Sequence, residues 1–213
     1  MRTLLALPFL VRRLPAAGRN AVLLTFDDGP VAGVTEAVLE RLAAHDVRAL
    51  FCLVGRRVEA APELARRIAD AGHALGNHSH VHDMSPWPNP PAYLDDLERC
   101  NRIITRAAGR PPTAFRAPGG RLHQGSVLAP RRCGLRHVHW SVDPRDYACQ
   151  DPADAAELGR RLAAELRGRD IVLLHDDRPT ILPLLDELLP RLVARGFDLA
   201  AGPRLLRLGG GAP

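Results

Sequence analysis

Asp27 and Asp28 stand side by side at the end of an apolar run, Ala21 to Phe26, and are followed by Gly29-Pro30. His78 and His82 share an i, i+4 spacing within His78-Ser79-His80-Val81-His82-Asp83. Arg116 closes a short apolar run, Asp143 and Asp146 follow the run containing Trp140, and His175 closes Ile171-Val172-Leu173-Leu174. Two adjacent carboxylates repel each other unless a cation or an Arg offsets the charge. Neutral imidazole is a common zinc ligand, and Asp28, His78 and His82 offer three N/O donors. That number leaves a catalytic zinc an open position for water. Asp27 beside such an ion can accept a proton, and His175 can give one to a leaving amine. The chemistry these residues suggest is metal-assisted hydrolysis.

Each motif also has a plainer reading. Asp27-Asp28-Gly29-Pro30 is a good turn sequence, and an isolated His pair can sit on a surface. Trp140 reads as core, and Trp87 reads equally as a loop anchor or a sugar platform. His45, His73, His123, His137 and His139 read as structural or exposed. What favours a site is where the reactive residues fall along the elements. Strands are expected at Ala21–Phe26, Arg48–Val54, His73–Gly76, Thr113–Arg116, Arg136–Val142, Ile171–His175 and Phe197–Ala201. Helices are expected from Thr35, as N-cap, to near Asp46, and over Pro62–Asp70, Ala92–Ala108, Asp154–Leu166 and Leu182–Arg195, with a loop at Ser85–Pro91. About seven strands alternating with helices imply parallel pairing, in a barrel or an open sheet. In such folds the carboxyl ends of the strands share one edge, so the Asp, His and Arg residues above can converge there. The opposite ends carry mostly Arg, Gly and Pro.

The chain has 213 residues, 46% of them hydrophobic and 25% charged, which suits one soluble domain with a real core. No apolar run approaches the ~20 residues that span a bilayer, so no transmembrane segment is expected. The net charge is +5, and all 29 basic residues are Arg. The absence of Lys excludes Schiff-base enzymes, the phosphate-loop hydrolases and the protein kinases. The Arg residues are scattered along helices rather than gathered in a run, so no nucleic-acid partner is expected. Cys52, Cys100, Cys133 and Cys149 form no C-x-x-C pair, and Cys52 reads as a small buried hydrophobe. The stretch Leu4 to Val11, followed by Arg12 and Arg13, only loosely resembles a signal peptide, and a cytoplasmic location is expected. The oligomeric state is open. Residues 1–20 read as an N-terminal extension, 21–208 as the catalytic domain and 209–213 as a flexible tail.

Thr25-Phe26-Asp27-Asp28-Gly29-Pro30, His78-Ser79-x-x-His82, Arg116-Ala117-Pro118-Gly119-Gly120, Asp143-Pro144-Arg145-Asp146-Tyr147 and Leu173-Leu174-His175 resemble the five ordered motifs of the polysaccharide deacetylases, carbohydrate esterase family 4. The likeness extends over roughly Val22 to Leu199, and Trp140 to Asp146 is similar to the nodulation-type chitooligosaccharide deacetylases. The resemblance implies an irregular (β/α) barrel and one divalent metal ion, zinc with cobalt or nickel as alternatives. It implies Asp28, His78 and His82 as ligands, Asp27 as general base and His175 as general acid. Arg116 would tune Asp27, and Asp146 would orient His175. Gly119, Tyr147 and Leu173 would contact substrate, with Leu173 and Tyr147 lining the acetyl pocket. Gly119 stands where the family usually has an aromatic, and Tyr147 replaces a commoner Trp. Both changes are expected to alter the pocket walls.

The reaction so implied is removal of acetyl from an N-acetylated sugar, releasing acetate. The expected substrate is a short, soluble N-acetylglucosamine oligosaccharide or glycoconjugate. Three other readings compete. An O-acetyl esterase would use the same residues. An amidohydrolase-type barrel would use His78-x-His80, but leaves the rest of the cluster unexplained. A non-catalytic carbohydrate-binding protein would not need Asp27 and His175.

Overall fold

Seven short apolar runs form parallel strands in the computed structural model, which describes residues 10–84 and 90–208. They are β1 (Leu10–Val11), β2 (Leu23–Asp27), β3 (Leu50–Leu53), β4 (Ala74–Asn77), β5 (Ala114–Phe115), β6 (Arg136–Val138) and β7 (Ile171–His175). They lie in the order β1-β6-β5-β4-β3-β2-β7, every neighbouring pair parallel. Beyond β6 the chain crosses to the other edge, where Val142 bridges to Val172 and its carbonyl accepts from Leu173 N at 3.0 Å. The sheet is thus a curled, irregular barrel within one domain, as the resemblance implied.

Helices cover the outside: α1 (Thr35–Ala44), α2 (Gly55–Ala60), α3 (Pro62–Asp70), α4 (Pro90–Ala108), α5 (Gln124–Arg132), α6 (Pro152–Glu165), α7 (Ile181–Ala194) and α8 (Gly202–Leu205). Side chains alternate across a strand with period two. On β2 this sends Leu24 and Phe26 into the core beneath the helices, and Leu23 into the smaller core inside the barrel. Asp27 shares the inward side with Leu23 and Thr25, at the carboxyl end. One strand therefore supplies core, polar lining and a carboxylate at its carboxyl end.

Three element expectations are corrected. Phe197–Ala201 is not a strand and keeps a single bridge, Ala21 to Asp198. The Asp198 carboxylate accepts from the N–H groups of Ala200 and Ala201, a local turn that competes with a ladder. The seventh strand is β1, from the segment read as an N-terminal extension. Thr35 does not cap α1 but lies in its first turn, where its hydroxyl accepts from Val31 N and donates to the buried Asp176. The loop expected at Ser85–Pro91 falls partly outside the described residues, as do Trp87 and the tail 209–213; Pro90 and Pro91 open α4. The short helices α2, α5 and α8 were not expected. All four cysteines are free thiols.

Helices α6 and α7 pack closely. Asp151 caps α6 by accepting from Ala153 N and Asp154 N, and Leu184, Leu185, Leu188 and Leu192 of α7 are buried. At Gly159 an added Cβ would lie 2.4 Å from the Leu184 carbonyl oxygen. Gly159→Ala is expected to lower stability by about 1–3 kcal/mol, the clash outweighing the ~1 kcal/mol that Ala gains in helix propensity. A thermal melt checks this, and an unchanged or raised Tm contradicts it.

Candidate active site

The carboxyl ends of β2, β4, β5 and β7 meet around one cleft of about 380 Å³, lined by Asp27, Asp28, His78, His82, Gly119, Tyr147, Leu173 and His175 among others. Arg116 and Asp146 stand just behind it. All ten residues singled out in the sequence are brought together.

Asp27 is 3% exposed, and its Oδ1 accepts from Arg116 Nη1 at 2.7 Å. Arg116, fully buried, also donates to Thr25 Oγ1 and to the carbonyls of Val138 and His139. Its guanidinium lies 5.5 Å from the centre of the Trp140 ring. A buried ion pair is tolerable when the remaining donors are satisfied, and here they find oxygen atoms on β2 and on β6 and its extension. Trp140, expected as core, is half-buried and lines the cleft.

His78 Nδ1 donates to the Arg116 carbonyl at 2.8 Å, which leaves Nε2 of the neutral ring with its lone pair facing the cleft. His78 Nε2 is 3.3 Å from Asp28 Oδ1, and His82 Nε2 is 3.1 Å from the same oxygen. One ligand atom from each of the three residues lies within 4.8 Å of the others. Asp28 Oδ1 is buried without a well-aligned hydrogen bond, although two imidazole nitrogens face it. Such atoms surround a point rather than satisfy one another, and a divalent cation fits there. Burial alone would raise the Asp28 carboxyl, but His78 and His82 hold it far below the usual carboxylate range. Burial would likewise lower His78, yet Asp27 and Asp28 raise it. A cation satisfies the same carboxylate while displacing that proton.

The loops that carry these side chains are strained. Asp28, Ser79 and His82 have φ of 72°, 66° and 56°, which costs about 1–3 kcal/mol each for such residues. Local bonds hold them: Arg57 Nη1 donates to the Asp28 carbonyl at 2.6 Å, Ser79 N to Asn77 Oδ1, and His82 N to Ser79 Oγ. The register of β2 and β7 sets His175 opposite Asp27. Asp146 Oδ1 accepts from His175 Nδ1 at 2.9 Å and its Oδ2 from His175 N at 2.8 Å. Burial would lower the His175 pKa, but Asp146 outweighs it, and the imidazole is pushed up to about 9. Tyr147 stands edge-on to the His175 ring at 5.5 Å.

The competing His78-x-His80 reading is not supported: His80 Nε2 faces Glu59 at 3.6 Å, and its backbone N–H donates to Asp96. Gly119, with φ 58°, does not leave open space, because an added Cβ would lie 3.1 Å from Met84 Sδ. Met84 stands on the side where a side chain would project. Met84, Arg57 and the cleft-lining Arg178 were missed, and nothing in their local sequence marks them. His123, expected as structural, caps α5 through Ser126.

The polysaccharide deacetylase family profile matches residues 15–138. A "Chitooligosaccharide deacetylase" of Bradyrhizobium sp. is 36% identical over 92% of this chain and 96% of its own length. The solved structure of the Bc1960 peptidoglycan N-acetylglucosamine deacetylase is similar at 26% identity and TM-score 0.83, covering 92% of each chain. That of BA3943, a family 4 pseudoenzyme from Bacillus anthracis, is similar at 27% identity and TM-score 0.78, covering 90% of this chain and 66% of that one. The five motifs, the curled parallel barrel and these relatives agree: the chain belongs to the polysaccharide deacetylases, carbohydrate esterase family 4, and is a carbohydrate N-deacetylase.

Proposed function

We propose that this deacetylase is metal-dependent and acts on short, soluble N-acetylglucosamine oligosaccharides or glycoconjugates, releasing acetate. The observation that carries the reading is the placement of three groups in one cleft: the Asp28–His78–His82 donors, the Asp27–Arg116 pair and the His175–Asp146 pair. Asp28, His78 and His82 hold the ion, with zinc the best match to an N/O donor set. Bound there, a divalent cation polarises the acyl oxygen and acidifies water.

The remaining work belongs to side chains. Asp27 accepts the proton of the attacking water, and Arg116 keeps it ionised and aimed into the cleft. His175, held by both oxygens of Asp146, delivers a proton to the departing sugar amine. Leu173 and Tyr147 flank the acetyl methyl, with Met84 closing the side that Gly119 leaves without a side chain. The non-catalytic reading, which the likeness to a pseudoenzyme raises, leaves both proton-transfer pairs without a task.

The test is kcat/KM against N-acetylglucosamine chains of increasing length and against insoluble polymer, with and without a chelator. Remote subsites supply binding energy to long substrates, and a small cleft forgoes it. A plateau by about five sugars, abolished by the chelator, is expected. Rates that keep climbing, or strong activity on peptidoglycan or insoluble chitin, would reject the short-substrate reading.

The pH profile has a signed expectation. An acid must be protonated, so activity falls as pH rises past the His175 pKa of about 9. Asp146→Asn removes the anion that raises it and is expected to move the alkaline limb to lower pH by a unit or more. A limb that stays in place would mean His175 is not the acid. For stability, a raised imidazole pKa contributes fully below the unfolded value of about 6.5, and the contribution fades as pH rises through about 9.

A further inference from the structure

A second cleft, of about 580 Å³, opens at the amino ends of the strands, on the far side of the barrel from the catalytic residues. Arg48 precedes β3, His73 precedes β4, Arg110 follows α4 and Arg204 lies in α8, and all four line it. Arg110 spends one N–H on the His73 carbonyl at 2.5 Å. Among the described residues no carboxylate lies within ion-pair distance of Arg110 or Arg204, and Arg204 makes no side-chain hydrogen bond. Arg48 lies over Gly72, where an added Cβ would come 3.3 Å from Nε, and pairs with an exposed Asp46 at 3.2 Å.

The floor is also a donor. His73 is 2% exposed, and its Nδ1 accepts from Ala49 N, so the proton of the neutral ring sits on Nε2. Burial, with Arg48 and Arg110 beside it, pushes His73 down to about 4, so the ring stays neutral at ordinary pH. Three guanidiniums and an imidazole N–H thus face a space in which Asp46, at the rim, is the one acidic group. Arg110, half-buried, and Arg204, exposed, have no ion-pair partner among the described residues, so an arriving anion stabilises them, and guanidinium forks match phosphate oxygens in particular.

We propose that this cleft is a second, non-catalytic site that binds a phosphate group through Arg48, Arg110 and Arg204. Free phosphate and a phospholipid headgroup share that chemistry. The site is independent of the deacetylation cleft and does not rest on the reading of its substrate.

The experiment titrates inorganic phosphate into the full-length, metal-loaded protein, following backbone amides by NMR, beside sedimentation with phosphatidylglycerol vesicles. Saturable shifts confined to residues 46–48, 72–74, 110 and 200–204 are expected. Arg204→Glu and Arg110→Gln should each weaken binding about tenfold or more, with acetate release unchanged. The exposed Arg204 side chain makes no hydrogen bond or ion pair among the described residues, so its variant remains informative if Arg110→Gln unfolds. Saturation by phosphate alone assigns a soluble phosphate, and Arg204-dependent sedimentation assigns a membrane headgroup. Unsaturable shifts matched by chloride, shifts confined to the catalytic cleft, or full affinity in Arg204→Glu would each overturn the proposal.

Discussion

Asp27→Asn is expected to lower kcat/KM by about 10²–10⁴-fold, the usual contribution of a positioned general base, while metal content stays at the level of the unsubstituted protein. The amide cannot take the proton of water, but its oxygen can still accept from Arg116 Nη1, which now holds Asp27 at 2.7 Å. The ligand set of Asp28, His78 and His82 is untouched. Asp27→Ala differs in kind, because it leaves the fully buried Arg116 facing no counter-ion. Removing one partner of such a pair costs about 3–5 kcal/mol, so the Ala variant should also melt earlier. Comparing the two separates chemistry from folding. An Asn variant retaining more than a tenth of the activity would place the base elsewhere.

His82→Ala should remove metal and activity together, whereas His80→Ala should keep both. His82 Nε2 is 3.1 Å from Asp28 Oδ1, and without it the donor set falls to two. Electrostatic stabilisation by a bound ion amounts to several kcal/mol in the transition state, so a loss of ~10³-fold is expected. The His80 ring faces Glu59 instead, and its bond to Asp96 is made by the backbone N–H, so its loss should register in local stability alone. Metal analysis by mass spectrometry, beside acetate release, decides the matter. If His80→Ala emptied the site as fully as His82→Ala, the i, i+2 histidine pair would be the true metal centre.

Asp27 and His175 were legible in the sequence because each closes a buried strand. A polar residue after four or five apolar ones, as at Asp27 and His175, sits at a strand's carboxyl end whatever the rest of the chain does, and parallel pairing gathers those ends on one edge. The five ordered motifs then carried the family and the barrel. Strand limits were less legible. Phe197–Ala201 is apolar enough for β structure, yet its fate turned on the Asp198 carboxylate binding Ala200 N and Ala201 N in place of a ladder. Leu10–Val11 became a strand because the exposed edge of β6 offers it unpaired backbone groups, a long-range opportunity that no local pattern displays.

By itself the sequence determined which candidate residues fall at strand ends, which edge of the sheet they share and that the strands run parallel, since apolar periodicity and turn residues act locally. The spacing pointed to His82, but only the tertiary structure shows why His82 and not His80 faces Asp28. Those two histidines lie two residues apart, and their directions depend on the left-handed backbone at Ser79 and His82, held by Asn77 and the Ser79 hydroxyl. It alone set Met84 against Gly119 and gathered Arg48, Arg110 and Arg204 around one cleft. Contacts between residues tens of positions apart follow from how helices pack on the barrel, and a linear pattern carries no record of that packing.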